Sequence, residues 1–127
     1  MPGQHLFEYA IIRVVPKVER EEFLNVGVIL YCQKPQYLNS RFELRPDRFL
    51  SWCDTLDMEE VQQYLDAMQR ICKGEKSAGP IGELDLPSRF RWLTATRSTI
   101  VQSSKVHPGL CDDPEEMLTR LFTQLVL

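Results

Sequence analysis

Between Arg89 and Glu116 the chain gathers Arg89, Arg91, Arg97, Ser98, His107, Asp112 and Asp113 in RFRWLTATRSTIVQSSKVHPGLCDDPEE, a stretch with no simple helical period. A guanidinium grips phosphate or carboxylate through a planar fork of donors, so the three arginines are candidates for holding an anion. Arg97 and Ser98 stand just before a predicted strand, a place where loop-borne ligand contacts concentrate. Arg89 and Arg91 offer the same chemistry, with a solvated basic face as the alternative. Trp92 between them either stacks on a ring or joins Phe90 and Leu93 in the core. His107 suits proton transfer near neutral pH. Asp112 is free to accept from an arginine or to orient His107, whereas Asp113 is accounted for as a helix cap. Ser98, Ser103 and Cys111 are nucleophiles only by proximity in sequence. No spacing here forms a nucleophile triad, a phosphate loop or a closed metal cage.

A second polar group stands in the front of the chain. Arg13 shares a predicted strand face with Tyr9, Ile11 and Val15, so its guanidinium must pass the sheet edge or find a partner. Glu19, Glu21 and Glu22 follow in a charged turn and supply an internal ion pair. The other reading makes Arg13 and Glu22 part of an anion pocket, with Asn25 lining the same face. Gly27 then allows a close approach by a neighbouring side chain or backbone.

The elements that must position these groups follow from periodicity. Leu6 to Val15 is nearly continuous apolar sequence, as in a strand covered on both faces, and Pro16 ends it. Phe23 to Cys32 is a second strand, and Arg41 to Leu44 a third, shorter one. Asp47 to Cys53 suits a short helix. Asp57 and Glu60 open the next helix, whose stripe runs Met58, Val61, Leu65, Met68 and Cys72 and which ends at Gly74. Glu75 to Leu86 is a surface loop, and Pro87 to Ala95 a short helix. Thr99 to Gln102 returns as a strand, His107 to Gly109 is a loop, and Asp113, Pro114 and Glu116 open a terminal helix burying Leu118, Leu121, Phe122 and Leu125. The expected fold is α+β: a mainly antiparallel sheet of about four strands with helices packed on one side, in the order β-β-β-α-α-(α)-β-α.

A length of 127 residues suits one domain, 1–127, and 43% hydrophobic with 26% charged residues is the balance of a chain that folds without a partner. The net charge of −3 disfavours nonspecific binding to nucleic acid. No apolar run approaches the ~20 residues of a membrane span, and the amino terminus shows no leader pattern, so the expectation is a cytoplasmic protein that uses no membrane. Cys32, Cys53, Cys72 and Cys111 are irregularly spaced and read as buried free thiols rather than disulfides or zinc ligands.

The segments EYAIIRVVPKVEREEFLNVGVILYC, from Glu8, and RFRWLTATRSTIVQSSKVHPGLCDDP, from Arg89, resemble the bacterial domain-of-unknown-function family 3037 over nearly the whole chain. The pattern R-x-x-P then E-R-E-E-F-x-N-V-G, and R-F-R-W-L-T then R-S-T then H-x-G-L-C-D-D-P, carry the resemblance. It implies no assigned reaction, cofactor or metal. Members are often encoded beside HipA-like kinases, which implies a kinase-like protein partner in a paired system of the toxin–antitoxin type. The expectation is therefore a non-enzymatic binding module whose arginine-lined pocket takes a phosphate-bearing group. The alternative is a small hydrolase or nucleic-acid-processing enzyme in which Arg13, Glu22, Asn25, Arg97 and His107 meet in one cleft. A sequence-specific nucleic-acid regulator is the third reading. Oligomeric state is open.

Overall fold

The apolar, β-branched front segment becomes the centre of a sheet because both of its edges and both of its faces find partners. The computed structural model describes residues 4–15, 23–45, 47, 57–95 and 99–127. Strand β1 (His5–Val14) pairs antiparallel with β2 (Leu24–Cys32), with Tyr9 opposite Leu30 and Ala10 opposite Ile29. The register shifts after Ile12: Gly27 faces Ile12 and Asn25 faces Arg13, which leaves Val26 as an extra residue in β2. Strand β3 (Tyr37–Phe42) lines the outer edge of β2. The other edge of β1 is shared: β4 (Val101–Ser103) covers Ile12 to Val14, and β5 (His107–Cys111) covers His5 to Tyr9. All these pairings are antiparallel.

Helix α1 (Met58–Lys73) is built as its sequence predicts. Asp57 accepts hydrogen bonds from the main-chain N–H groups of Glu59 and Glu60, and Gly74 stops the helix in the left-handed conformation at φ 68°. Its buried residues Val61, Leu65, Met68, Ile71 and Cys72 pack on Ile12, Val14, Val26 and Ile29, joined by Phe90 and Leu93 of α2 (Leu86–Leu93). Asp85 caps α2 through the Ser88 N–H. Helix α3 (Pro114–Leu125), capped by Asp113, buries Leu118 and Phe122 against Phe7, Val28, Leu30 and Cys32. Tyr37 of β3 also donates to Glu115, and Arg41 donates to Thr119 and lies over the Phe122 ring.

The α+β class, the antiparallel sheet and the element order agree with the sequence reading, and the details differ in four places. The helices do not share one side: α1 and α2 cover one face and α3 the other, because Phe7, Val28, Leu30 and Cys32 form a second apolar face that needs its own cover. The His107 to Gly109 loop is part of β5, so among the described residues five strands replace about four. Pro108 fits there because β5 is an edge strand and needs no donor on its outer side. The third strand lies at Tyr37–Phe42 rather than at Arg41 to Leu44, with Leu44 packed on the core just beyond it. Within the Glu75 to Leu86 loop, Lys76–Glu83 forms tight 3-10 turns interrupted at Gly79. The proposed helix at Asp47 to Cys53 falls, Asp47 apart, outside the described residues. Two glycines are dictated by aromatic rings: a Cβ on Gly27 would lie 2.1 Å from the Phe42 ring, and one on Gly109 would lie 2.5 Å from Phe7. The first is the close approach the sequence suggested for Gly27.

Candidate functional site

Arg13 and Asn25 are brought together by the register shift between β1 and β2, and both project toward α3. Asn25 Nδ2 donates to the main-chain oxygen of Leu125 at 3.1 Å, tying the sheet to the carboxyl end of that helix. The Arg13 guanidinium lies over the Phe23 ring, its Cζ 4.1 Å from the centroid. Burial lowers the Arg13 pKa from its ordinary value. Each of these two residues has one buried polar atom without a hydrogen-bond partner: Arg13 Nε, a donor, and Asn25 Oδ1, an acceptor. They belong to residues directly opposite in the ladder, so one small movement or one bridging water would satisfy both. Among the described residues no carboxylate lies against Arg13. Glu22, with Glu19 and Glu21, is outside the described residues, so the expected ion pair lies there too.

His107 is exposed on β5 opposite Tyr9, with the two rings tilted and 5.3 Å apart. By strand alternation Tyr9, Ile11 and Arg13 share a face, so the histidine and Arg13 stand on one side of the sheet. Four residues of strand nevertheless separate Tyr9 from Arg13, about 13 Å at the usual rise, too far for one small anion to touch both. Asp112 is exposed beyond the far end of β5, roughly 16 Å of extended chain from His107, and so does not orient that ring. It lines a shallow hollow with Glu116 and Arg120.

Arg89 goes elsewhere. It is 9% exposed, and its Nη1 donates to the carbonyl oxygens of Ile71 at 2.8 Å and Cys72 at 3.0 Å. Those are last-turn carbonyls of α1, of which Ile71 also accepts from the capping Gly74 N–H at 3.1 Å, and a cation there opposes the negative end of the helix dipole. Gly74 leaves the space: a Cβ on it would sit 2.7 Å from Nη1. Arg89 also edges a cavity of about 410 Å³ with Tyr31, Gln33, Gln36 and Asp85, and its Nε has no partner. This cavity adjoins the α1 and α2 layer, across the sheet from the Arg13 and His107 face. Arg97 and Ser98 lie outside the described residues, although Ala95 and Thr99 on either side of them both line another cavity.

The polar set read from the sequence therefore separates into an Arg13–Asn25 pair, an isolated His107, an Asp112 at the sheet end, and an Arg89 that closes a helix. The single cleft of the hydrolase reading is not formed by its described members Arg13, Asn25 and His107. Among the described residues, no three His, Cys, Asp or Glu side chains come together to hold a metal ion. Cys32, Cys72 and Cys111 are free and buried, and burial pushes the Cys72 and Cys111 thiols up to about 11. No helix among the described residues is long and apolar enough to cross a membrane.

One feature escaped the sequence reading: an apolar cavity of about 140 Å³ between α1, the end of α2 and β4. Its signal was the pair of large aromatics left partly outside the core, Tyr64 at 41% and Trp92 at 38% exposed.

Residues 9–126 match the sequence profile of a family described as protein of unknown function (DUF3037). No curated protein matches the chain, and no solved structure matches it.

Proposed function

The chain belongs to this family, whose description assigns no activity, and we propose that it is a non-enzymatic accessory module that binds a protein partner through an anion-accepting arginine site beside α3. The partner proposed is a kinase-like protein of the HipA-like kind, in a paired system of toxin–antitoxin type, as the family resemblance implies. The group it presents to Arg13 is a phosphate or a carboxylate. One observation carries the reading: the Arg13 guanidinium is held on the Phe23 ring, partly desolvated, with no described carboxylate to neutralise it. A guanidinium in that state gains more from an incoming anion than a fully hydrated one does. Asn25, fixed through Leu125, supplies an adjacent polar contact. The separation of His107 from Arg13 gives catalysis no second group at the same point, which supports binding over reaction.

The test is capture of the neighbouring kinase-like protein by the purified chain, with Arg13→Ala and Arg13→Lys compared against the parent. Arg13→Ala is expected to weaken capture by about tenfold or more, a loss of about 1.4 kcal/mol or more, with Arg13→Lys between the two. Circular dichroism confirms that both variants fold. Equal capture by all three proteins, or no capture at micromolar concentration, overturns the proposal.

A further inference from the structure

The cavity between α1, α2 and β4 is a separate matter from the arginine site, and its size and lining define a ligand class. Tyr64, Ala67, Met68 and Ile71 form its α1 wall, and Leu93 with Val101 forms much of its floor. At about 140 Å³ it is close to the ~150 Å³ of an engineered apolar cavity that admits benzene, so it has room for one six-membered ring and not for a fused pair. The space exists because positions 67 and 95 are alanines where the neighbouring wall residues are large.

One wall is polar, and its chemistry is lopsided. Thr99 Oγ1 donates to the Val101 carbonyl at 2.6 Å, Gln102 Nε2 donates to the Thr99 carbonyl at 2.8 Å, and Ser103 Oγ donates to the Ser104 carbonyl at 2.9 Å. Both hydroxyl hydrogens are thus spent on main chain, and one amide hydrogen with them. What this wall has left in greatest supply is acceptor capacity, the lone pairs of the Thr99 and Ser103 hydroxyls; Gln102 stands opposite Arg13 in the ladder, so by strand alternation its side chain belongs to the other face of the sheet. A ring entering with an O–H or N–H donor satisfies that wall, whereas a ring whose substituent only accepts does not.

We infer that this cavity is a small-molecule site for a monocyclic aromatic compound bearing one hydrogen-bond donor, of the phenol or aniline class. The ring lies against Met68, Ile71 and Leu93, with its donor toward Thr99 and Ser103. Tyr64 and Trp92 border the cavity and remain partly exposed.

The experiment titrates the whole chain with phenol, benzene and anisole, following amide resonances by NMR and melting temperature in parallel. Phenol is expected to shift resonances from α1, the end of α2 and β4, to raise the melting temperature, and to bind about tenfold more tightly than benzene or anisole, which is the scale of one retained hydrogen bond. Ala67→Leu fills the cavity from the helix without breaking a bond and should abolish the phenol shifts, with circular dichroism checking that it folds. Thr99→Val combined with Ser103→Ala should leave the benzene affinity in place while removing the preference for phenol. No saturable binding of phenol, equal affinity for the three rings, or undiminished phenol binding by Ala67→Leu each overturns the inference.

Discussion

Replacing Arg89 by Met tests whether its guanidinium is a structural plug. The thioether chain keeps much of the aliphatic stem's volume and removes the donor that meets the Ile71 and Cys72 carbonyls at 2.8 and 3.0 Å. A hydrogen bond from a charged donor contributes about 1.5–3 kcal/mol, but both bonds here leave one nitrogen, so they do not count twice in full. Loss of the cation opposite the α1 dipole adds about 0.3–1 kcal/mol. Part is returned, because methionine is spared the desolvation of a charged group in a residue that is only 9% exposed. The expected net destabilisation is about 3 kcal/mol, a large share of the 5–15 kcal/mol that holds an ordinary domain. Arg89→Ala should lose about 1 kcal/mol more, because the stem's packing goes as well. Urea unfolding followed by far-ultraviolet circular dichroism measures this directly, provided the denaturant slope is unchanged. If Arg89→Met unfolds within about 0.5 kcal/mol of the parent, the guanidinium is not holding the helix end. Its open Nε and the adjoining cavity would then make it a ligand contact instead.

Two other perturbations probe the frame around the site. Gly27→Ala places a Cβ 2.1 Å from the Phe42 ring and 2.8 Å from the Arg41 main-chain oxygen, so trimming Phe42 relieves only part of the clash. A loss of about 1–3 kcal/mol is expected by urea unfolding, and a Gly27→Ala variant as stable as the parent would place Phe42 elsewhere. Burial raises Cys72 and Cys111 from an ordinary 9.0 to about 11, so the folded chain holds these thiols protonated where the unfolded chain ionises them. Their contribution to stability is full below pH 9 and is lost as the pH rises toward 11, so the urea midpoint should fall across that window and fall less in Cys72→Ala. A flat midpoint from pH 8.5 to 10.5 in every variant would count against burial of the thiols, with these pH values set around the ordinary cysteine range.

The elements legible in the sequence were those whose signal is local. Asp57 with its capping carboxylate and Gly74 with its left-handed backbone mark the ends of α1 within one turn, and Asp113 with Pro114 marks the start of α3 in the same way. The β5 strand was hidden because Pro108 and Gly109 are loop residues by local preference. What overrides them is the free edge of β1 and the Phe7 ring packed over Gly109. The second apolar face escaped because β2 is buried on both sides, and a run such as Val26 to Leu30 does not say which layer each residue meets. Arg89 looked like a ligand contact because its chemistry suits one. Its actual partners are carbonyls 17 and 18 residues earlier in the chain, a contact no local pattern reveals.

Closeness in sequence converts into distance at a rate set by the element. The eight residues of α2 rise about 1.5 Å each and keep Arg89 and Trp92 within one short helix, whereas β5 extends at about 3.3 Å per residue and carries Asp112 away from His107. A segment that looks like one site when written out therefore need not be one when folded. The Arg13–Asn25 pair shows the reverse, since its members are twelve residues apart in sequence and meet only through the extra residue in β2. In an unshifted ladder continuing from the Ile12–Gly27 pair, Arg13 would lie opposite Val26, an apolar side chain that belongs to the α1 side of the sheet. The shift turns Val26 into that core and sets a carboxamide anchored on α3 beside the guanidinium. The polar pair thus depends on the same local irregularity that completes the apolar layer on the opposite face, which makes the proposed anion site a product of how the sheet is packed.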